Sequence, residues 1–240
     1  MRIDGRAPDQ IRPVRFTTDF VHYPEGSILI AMGETLVLCN ATVEETLPRW
    51  LQNKGREGGW VTAEYAMLPR ATRERTQRET RGISGRSQEI RRLIGRSLRA
   101  SVDLKKIGPR TVIVDCDVLQ ADGGTRTASI TGGYLALTIA LRKLIQTNQI
   151  PESALLAPVA AISAGIVDGQ VLLDLNYAED SQAEVDINVV MNRAGEFVEV
   201  QGTAEGEPFS QERLEEMLGL SRAGIDKLLD LGQRLLVDTE

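Results

Sequence analysis

The stretch TVIVDCDVL-QADGGTRTAS-ITGGYLALTIALRKL, residues 111–144, decides how this chain folds. Residues 111–119 are dense in β-branched and apolar side chains and read as a strand. Residues 130–144 are apolar almost all round, and a helix without a polar face is a buried central helix. Between them lie Gly123, Gly124, Thr125 and Arg126. Strand, glycine loop and buried helix in that order form an anion-binding geometry. The glycines let a ligand approach the backbone, and the helix N-terminus offers unpaired N–H groups at the positive end of its dipole. Thr125 and Arg126 add a hydroxyl and a charged fork. The same Gly-Gly turn also serves as a plain tight connection, so this spacing alone leaves both readings open. It is not a nucleotide P-loop, because G-x-x-x-x-G-K-[ST] is absent.

Outward from this unit the pattern alternates between hairpins and helices. Residues 27–43 read as a β-hairpin, SILIAM and TLVLCNATV about a turn at Gly33-Glu34. Residues 47–62 are rich in glycine and polar side chains and read as a loop. Residues 65–85, with Pro69 and a basic run, read as an exposed, mobile loop. From Arg86 the period changes: Ile90, Leu93, Ile94, Ser97, Leu98 and Val102 form the stripe of an amphipathic helix of about five turns. A second hairpin is expected over 159–175, turning at Asp168-Gly169, and a third over 183–202, turning near Arg193-Ala194-Gly195. Ser210 and Ser221 are expected to N-cap two terminal helices, 211–218 and 222–237. Hairpins followed by helices in both halves predict an α+β fold, one domain over 1–240 built of two βα-type halves, about 1–150 and 151–240.

Composition sets the chemistry. With 240 residues, 42% of them hydrophobic, and a net charge of −6, the chain has ample material for a core, and disorder as its main state is excluded. The longest mostly apolar run, 154–167, is broken by Pro158 and is too short to span a bilayer. The opening Met1-Arg2-Ile3-Asp4-Gly5-Arg6 has no apolar secretory segment. Cys39 and Cys116 each sit in an apolar β-like run and read as buried reduced thiols, so a cytoplasmic setting with no membrane partner is expected. A single histidine, His22, rules out multi-histidine zinc sites, and no G-x-S-x-G nucleophile elbow is present. Carboxylates and arginines must carry the chemistry.

Both are clustered. Residues 70–99 hold ten arginines (Arg70, Arg73, Arg75, Arg78, Arg81, Arg86, Arg91, Arg92, Arg96, Arg99), no lysine and three glutamates, a +7 window in an acidic chain. Local pairing cannot neutralise most of it, and arginine in preference to lysine suits bidentate recognition of phosphate, so nucleic acid or another polyphosphate is the favoured partner. Residues 174–186 hold five acids: Asp174, Glu179, Asp180, Glu184 and Asp186. The five repel one another unless something cationic sits among them. A solvated acidic turn accounts for Glu179 and Glu184 but not for Asp186, which lies inside an apolar strand. A Mg²⁺-type site of one or two carboxylates plus substrate phosphate fits the cluster, whereas an EF-hand lacks its glycine and acid spacing.

The residues resemble, end to end, the ribonuclease PH family of phosphate-dependent exoribonucleases. The resemblance rests on the opening Met1–Arg6 block, Gly59-Trp60-Val61-Thr62-Ala63-Glu64-Tyr65 with Met67-Leu68-Pro69-Arg70-Ala71-Thr72, and Ile83-Ser84-Gly85-Arg86-Ser87 with Glu89-Ile90. Arg92-Leu93-Ile94-Gly95-Arg96, 120–129 and 174–191 extend it. It implies the ribonuclease PH fold, mixed β-sheets packed with α-helices and related to the second domain of ribosomal protein S5. It implies a homo-hexamer built as a trimer of dimers, and 3′→5′ trimming of tRNA precursors with release of nucleoside diphosphates. Run backwards, the enzyme would act as a nucleotidyltransferase and extend RNA ends. By resemblance, Arg86, Gly124, Thr125 and Arg126 hold the phosphate co-substrate. Asp180 and Asp186 assist catalysis through a divalent cation, Mg²⁺. Arg70, Arg73, Arg75 and Arg78 guide RNA, with Arg92 and Arg96 on the following helix, and DNA is not an expected partner. A catalytically silent RNA-binding subunit and a phosphorylase of free nucleosides are the alternatives. The intact site residues argue against the first, and the arginine-rich loop is superfluous for the second.

Overall fold

Two sheets are built by the alternating apolar residues of the hairpins. In the computed structural model, which describes residues 2–52 and 57–238, the first sheet contains β1 (Val14–Thr18), β2 (Gly26–Met32), β3 (Thr35–Glu44), β4 (Trp60–Met67) and β5 (Thr111–Gln120). Met1 and residues 53–56 of the expected 47–62 loop lie outside the described residues. Strand order is β1-β2-β3-β5-β4, with β4 parallel to β5 and the other pairs antiparallel. The second sheet contains β6 (Val159–Val167), β7 (Gln170–Leu173), β8 (Val185–Asn192) and β9 (Phe197–Ala204), antiparallel throughout in the order β7-β6-β8-β9. The helices are α1 (Arg49–Gln52), α2 (Gly85–Arg99), α3 (Thr125–Gln146), α4 (Tyr177–Asp180) and α5 (Gln211–Asp238).

The all-round apolar character of α3 now has its cause. It packs on β2, β3 and β5 from one side and on β6 from the other, so both sheets share it as their core. Gly132 sets the spacing, since a Cβ there would lie 2.7 Å from Ile30 Cγ2 and 2.9 Å from Cys39 Sγ. Helix α2 packs on β4 and α3, and α5 covers β6, β7 and β8. Cys39 and Cys116 face each other in the β3–β5 register as buried free thiols. Among the described residues no helix is long and apolar enough to cross a membrane.

All three expected hairpins form, as β2–β3, β6–β7 and β8–β9. Four expectations need correction. The loop over 47–62 is interrupted by α1 and ends in β4, which also takes residues 65–67 from the expected mobile loop. Val61, Ala63 and Tyr65 of β4 point inward with period two, a signal diluted by a small alanine and by Thr62 and Glu64 between them. Helix α2 stops at Arg99, and Val102 instead bridges to Leu155. Helix α3 starts at Thr125, so residues 125–129 belong to its first turns and not to the loop. The two terminal helices are one. Met217, Ser221, Ile225 and Leu228 continue a single buried stripe through the expected break, and no proline interrupts it.

Candidate active site

The glycine loop between β5 and α3 requires left-handed backbone at Gly123 (φ +75°) and Gly124 (φ +63°), a region open to glycine at little steric cost. Gly124 is the N-cap of α3 and supplies no side chain, so the first N–H groups of the helix lack a side-chain cap and remain open to an anion. Thr125 Oγ1 lies 2.9 Å from Tyr65 Oη, and Arg126 Nη1 donates to Gln201 Oε1 at 2.8 Å and Glu89 Oε1 at 3.3 Å. Burial pushes the Tyr65 phenol up in pKa, while its bond to Thr125 and the charges of Arg86 and Arg126 draw it back. Arg86 stands exposed one residue into α2, whose N-cap Ser84 Oγ accepts from Ser87 N. Among the described residues Arg86 makes no ion pair. The phosphate-holding residues expected from sequence are thus brought around one site, Arg126 tethered and Arg86 free.

The acidic cluster divides into three. Asp174 and Glu179 are buried and held by arginines of the N-terminal segment. Arg12 grips Asp174 with Nη2 to Oδ1 at 2.7 Å and Nε to Oδ2 at 3.0 Å, and its backbone N–H reaches Oδ2 at 2.7 Å. Burial disfavours the Arg12 charge and Asp174 more than offsets this, so its pKa is raised. Arg2 takes Glu179 through two 2.7 Å bonds, and Arg2 and Arg6 both donate to the Asp174 carbonyl. Glu179 is therefore no solvated residue: it closes a capping box with Asn176 that orders α4. Glu184 is exposed and accepts from Gly169 N, as a surface acid does.

Asp180 and Asp186 remain. Asp180 ends α4, and Asp186 lies half-buried near the start of β8, opposite Gly165 and Thr203. Partial desolvation, then the neighbouring Asp186 charge, push the Asp180 carboxyl above the usual range, and Arg126, Arg86 and Arg12 draw it down. Desolvation likewise raises Asp186, with Arg126 opposing and Glu205 adding to the rise. The charge of Arg126 thus draws down Asp180, Asp186 and Tyr65 alike. Among the described residues no group of three or more His, Cys, Asp or Glu could hold a metal, so an ion here would have no more than two carboxylates of the protein. Two carboxylates, one raised by the charge of the other, fit an ion of the Mg²⁺ type that takes its other ligands from substrate and water.

The remaining arginines fall in two places. Arg70, Arg73, Arg75 and Arg78 are exposed on the irregular stretch after β4 and make no ion pair among the described residues. Arg92 and Arg96, with Arg91, Arg99 and Trp60, line a groove of about 350 Å³ between α2 and β4. Arg96 is paired there with Glu199 at 2.7 Å, and Arg99 lies 4.5 Å over the Trp60 ring. Arg96 sits ten residues beyond Arg86, about 15 Å along the helix axis. The residues that sequence reading missed are Arg2, Arg6 and Arg12, together with Tyr65, Glu89 and Gln201. A buried arginine in an opening segment leaves no periodic signal. The only clue was the unneutralised acidic cluster itself.

Comparison with known proteins follows this geometry. A family model described as "3' exoribonuclease family, domain 1" matches residues 10–143, and its companion, domain 2, matches 157–224. A Bacillus subtilis protein named ribonuclease PH is 56% identical over 242 residues, covering 100% of this chain and 98% of that one. One of the same name from Crocosphaera subtropica is 53% identical, covering 98% and 97%. Among solved structures, rice Rrp46 superposes with a TM-score of 0.79 at 23% identity, over 98% of this chain and 99% of that one. The Archaeoglobus fulgidus exosome with RNA bound to its active site gives 0.78 at 23%, over 95% and 91%. These last two likenesses speak to the fold alone.

Proposed function

Because the chain belongs to the 3′ exoribonuclease family and is a phosphorolytic enzyme of that family, we propose that inorganic phosphate held at the N-terminus of α3 attacks the last phosphodiester of an RNA 3′ end. The Gly124 and Thr125 N–H groups, the Thr125 hydroxyl, tethered Arg126 and free Arg86 hold the attacking phosphate. An oxygen of that phosphate bonds to the scissile phosphorus, and the bond from phosphorus to the 3′ oxygen of the preceding nucleotide breaks. The products are a nucleoside diphosphate and an RNA one residue shorter, whose 3′ oxygen takes up a proton. Since the nucleophile is already anionic, no histidine base is needed, and His22 stands exposed in the 19–25 bend region. The protein's work is to place two like-charged reactants and offset their charge.

Asp180 and Asp186 would hold a Mg²⁺ ion, which when bound neutralises charge on the scissile phosphate. Both carboxyls are raised, Asp180 in part by the charge of Asp186, and a cation between them would relieve this. Arg70, Arg73, Arg75 and Arg78 guide the RNA body, with Arg92 and Arg96 further along α2. The preferred substrate is the 3′ end of tRNA precursors, the working form a homo-hexamer arranged as a trimer of dimers, and the compartment the cytoplasm, in keeping with two buried free thiols. The observation that carries the reading is the glycine turn into α3, whose left-handed Gly123 and Gly124 leave the first helical N–H groups without a side-chain cap, with Arg126 in the first turn of that helix. The test is a short 3′-labelled RNA incubated with Mg²⁺, with and without phosphate. Nucleoside diphosphates should appear only with phosphate, and monophosphates in phosphate-free buffer would show a hydrolase instead.

A further inference from the structure

The phosphate loop and the acid-bearing turn come from different halves of the chain and hang from different sheets. Their separation must nevertheless be fixed, because phosphate and carboxylates have to meet the same phosphodiester. One side chain spans them. Arg12 holds both Asp174 oxygens, and its Nη1 donates to the carbonyl of Asp122 at 2.5 Å and lies 3.5 Å from that of Gly123. Thr35 Oγ1 closes the other side of the loop, donating to Gly123 O at 2.7 Å and accepting from Asp122 N at 2.9 Å. Arg12 Nη1 reaches that hydroxyl at 3.5 Å. A Cβ on Gly123 would lie 2.6 Å from Leu175 O, so loop and turn are also in direct contact. From Asp174 the order continues to Asp180 through Arg2, Arg6 and the Asn176–Glu179 capping box.

Neither residue is a ligand for substrate. Arg12 is 3% exposed and Thr35 is fully buried, and the polar atoms of both are committed to the loop and turn. The planar guanidinium is suited to this task because it serves a carboxylate along one edge and a carbonyl along another, which a lysine ammonium on a flexible stem does not.

We propose that Arg12 and Thr35 are positioning residues that lock the phosphate loop to the acid-bearing turn at the distance phosphorolysis requires. The inference rests on phosphate binding at that loop, as read above.

Thr35→Val keeps the shape and removes every hydroxyl bond, Thr35→Ser keeps the bonds, and Arg12→Lys keeps the charge without the fork. For each, kcat, the KM for phosphate, RNA affinity in phosphate-free buffer and Tm are measured on one preparation. Thr35→Val and Arg12→Lys should lose up to about 10²-fold in kcat/KM for phosphate, the scale of a 1 Å misplacement. RNA affinity should stay within about twofold, and Thr35→Ser should recover kcat/KM. If Thr35→Val melts lower while its folded fraction keeps the original kcat and KM for phosphate, the role is purely structural and the inference falls. It also falls if Thr35→Ser behaves as Thr35→Val does. Should Arg12→Lys not fold, the Thr35 pair still decides. An unaltered chain that shortens RNA equally well without phosphate overturns the functional reading itself, whatever the variants do.

Discussion

At the scale of single residues the proposed site rests on Arg126 and on Asp180 and Asp186, whose carboxyls its charge draws down. Arg126→Ala removes a preorganised charge from the attacking phosphate and from both carboxylates. Turnover should fall roughly 10²–10³-fold, as for loss of one charge-stabilising donor, while RNA affinity barely changes; steady-state kinetics beside a filter-binding isotherm check this. Asp186→Asn keeps shape and strand pairing, so the variant should fold, bind RNA as well or better, and lose most phosphorolysis. Its stability has a definite sign. A carboxyl whose pKa is raised in the fold binds its proton more tightly folded than unfolded, so it costs stability as pH climbs from its ordinary value, 3.8, through the raised one. The Asn variant should therefore melt above the unaltered chain at neutral pH, with the difference vanishing in acid below the ordinary value. Melting curves across pH decide it. A variant that melts lower at every pH and keeps full specific activity removes Asp186 from the site. Sequence reading separated Asp186 from its neighbours by its place in an apolar strand, but it could not tell that Glu179 is buried against Arg2.

Elements carry the next predictions. The stretch after β4 displays Arg70, Arg73, Arg75 and Arg78, none of them in an ion pair among the described residues. Replacing all four with alanine should weaken RNA binding and flatten its salt dependence, each lost phosphate contact removing about 0.7 from the log–log slope for a single strand. An unchanged slope would assign these arginines to a solvated or inter-subunit face. Helix α5 offers an independent check on its unbroken course. Ser221 is buried midway along it, and its Oγ has no hydrogen-bond partner among the described residues. Ser221→Ala should stabilise the chain by about 1–3 kcal/mol, the cost of a buried unsatisfied hydroxyl, seen as a higher Tm. Were 222–237 a separate helix capped by Ser221, the same change would destabilise it by about 1 kcal/mol. The hairpins were legible because strand alternation and Gly turns are local signals. Strand β4 was not, because its pairing partner β5 arrives some fifty residues later and its inward set is one valine, one alanine and one tyrosine.

For the whole molecule, the α+β class could be read from hairpins followed by helices in both halves, and the glycine turn into a buried helix from 111–144. The bracing of that site could not, because Arg12 meets Asp174 across 162 residues and Arg2 meets Glu179 across 177. No window of sequence contains both partners, and only the folded topology brings the opening segment under the turn that carries Asp180. The placement of α3 has a consequence of its own. A helix shared by two sheets has no way to loosen alone, since opening either flank exposes the core of both. The amide protons of 128–144 should therefore exchange with deuterated solvent only as fast as the entire chain unfolds, unlike those of the exposed 72–83 segment. Warming should abolish catalysis and cooperative structure in a single step, leaving no folded but inactive species. On that expectation the glycine turn that opens α3 hangs from the part of the protein that opens last, and its rigidity should last as long as the fold does.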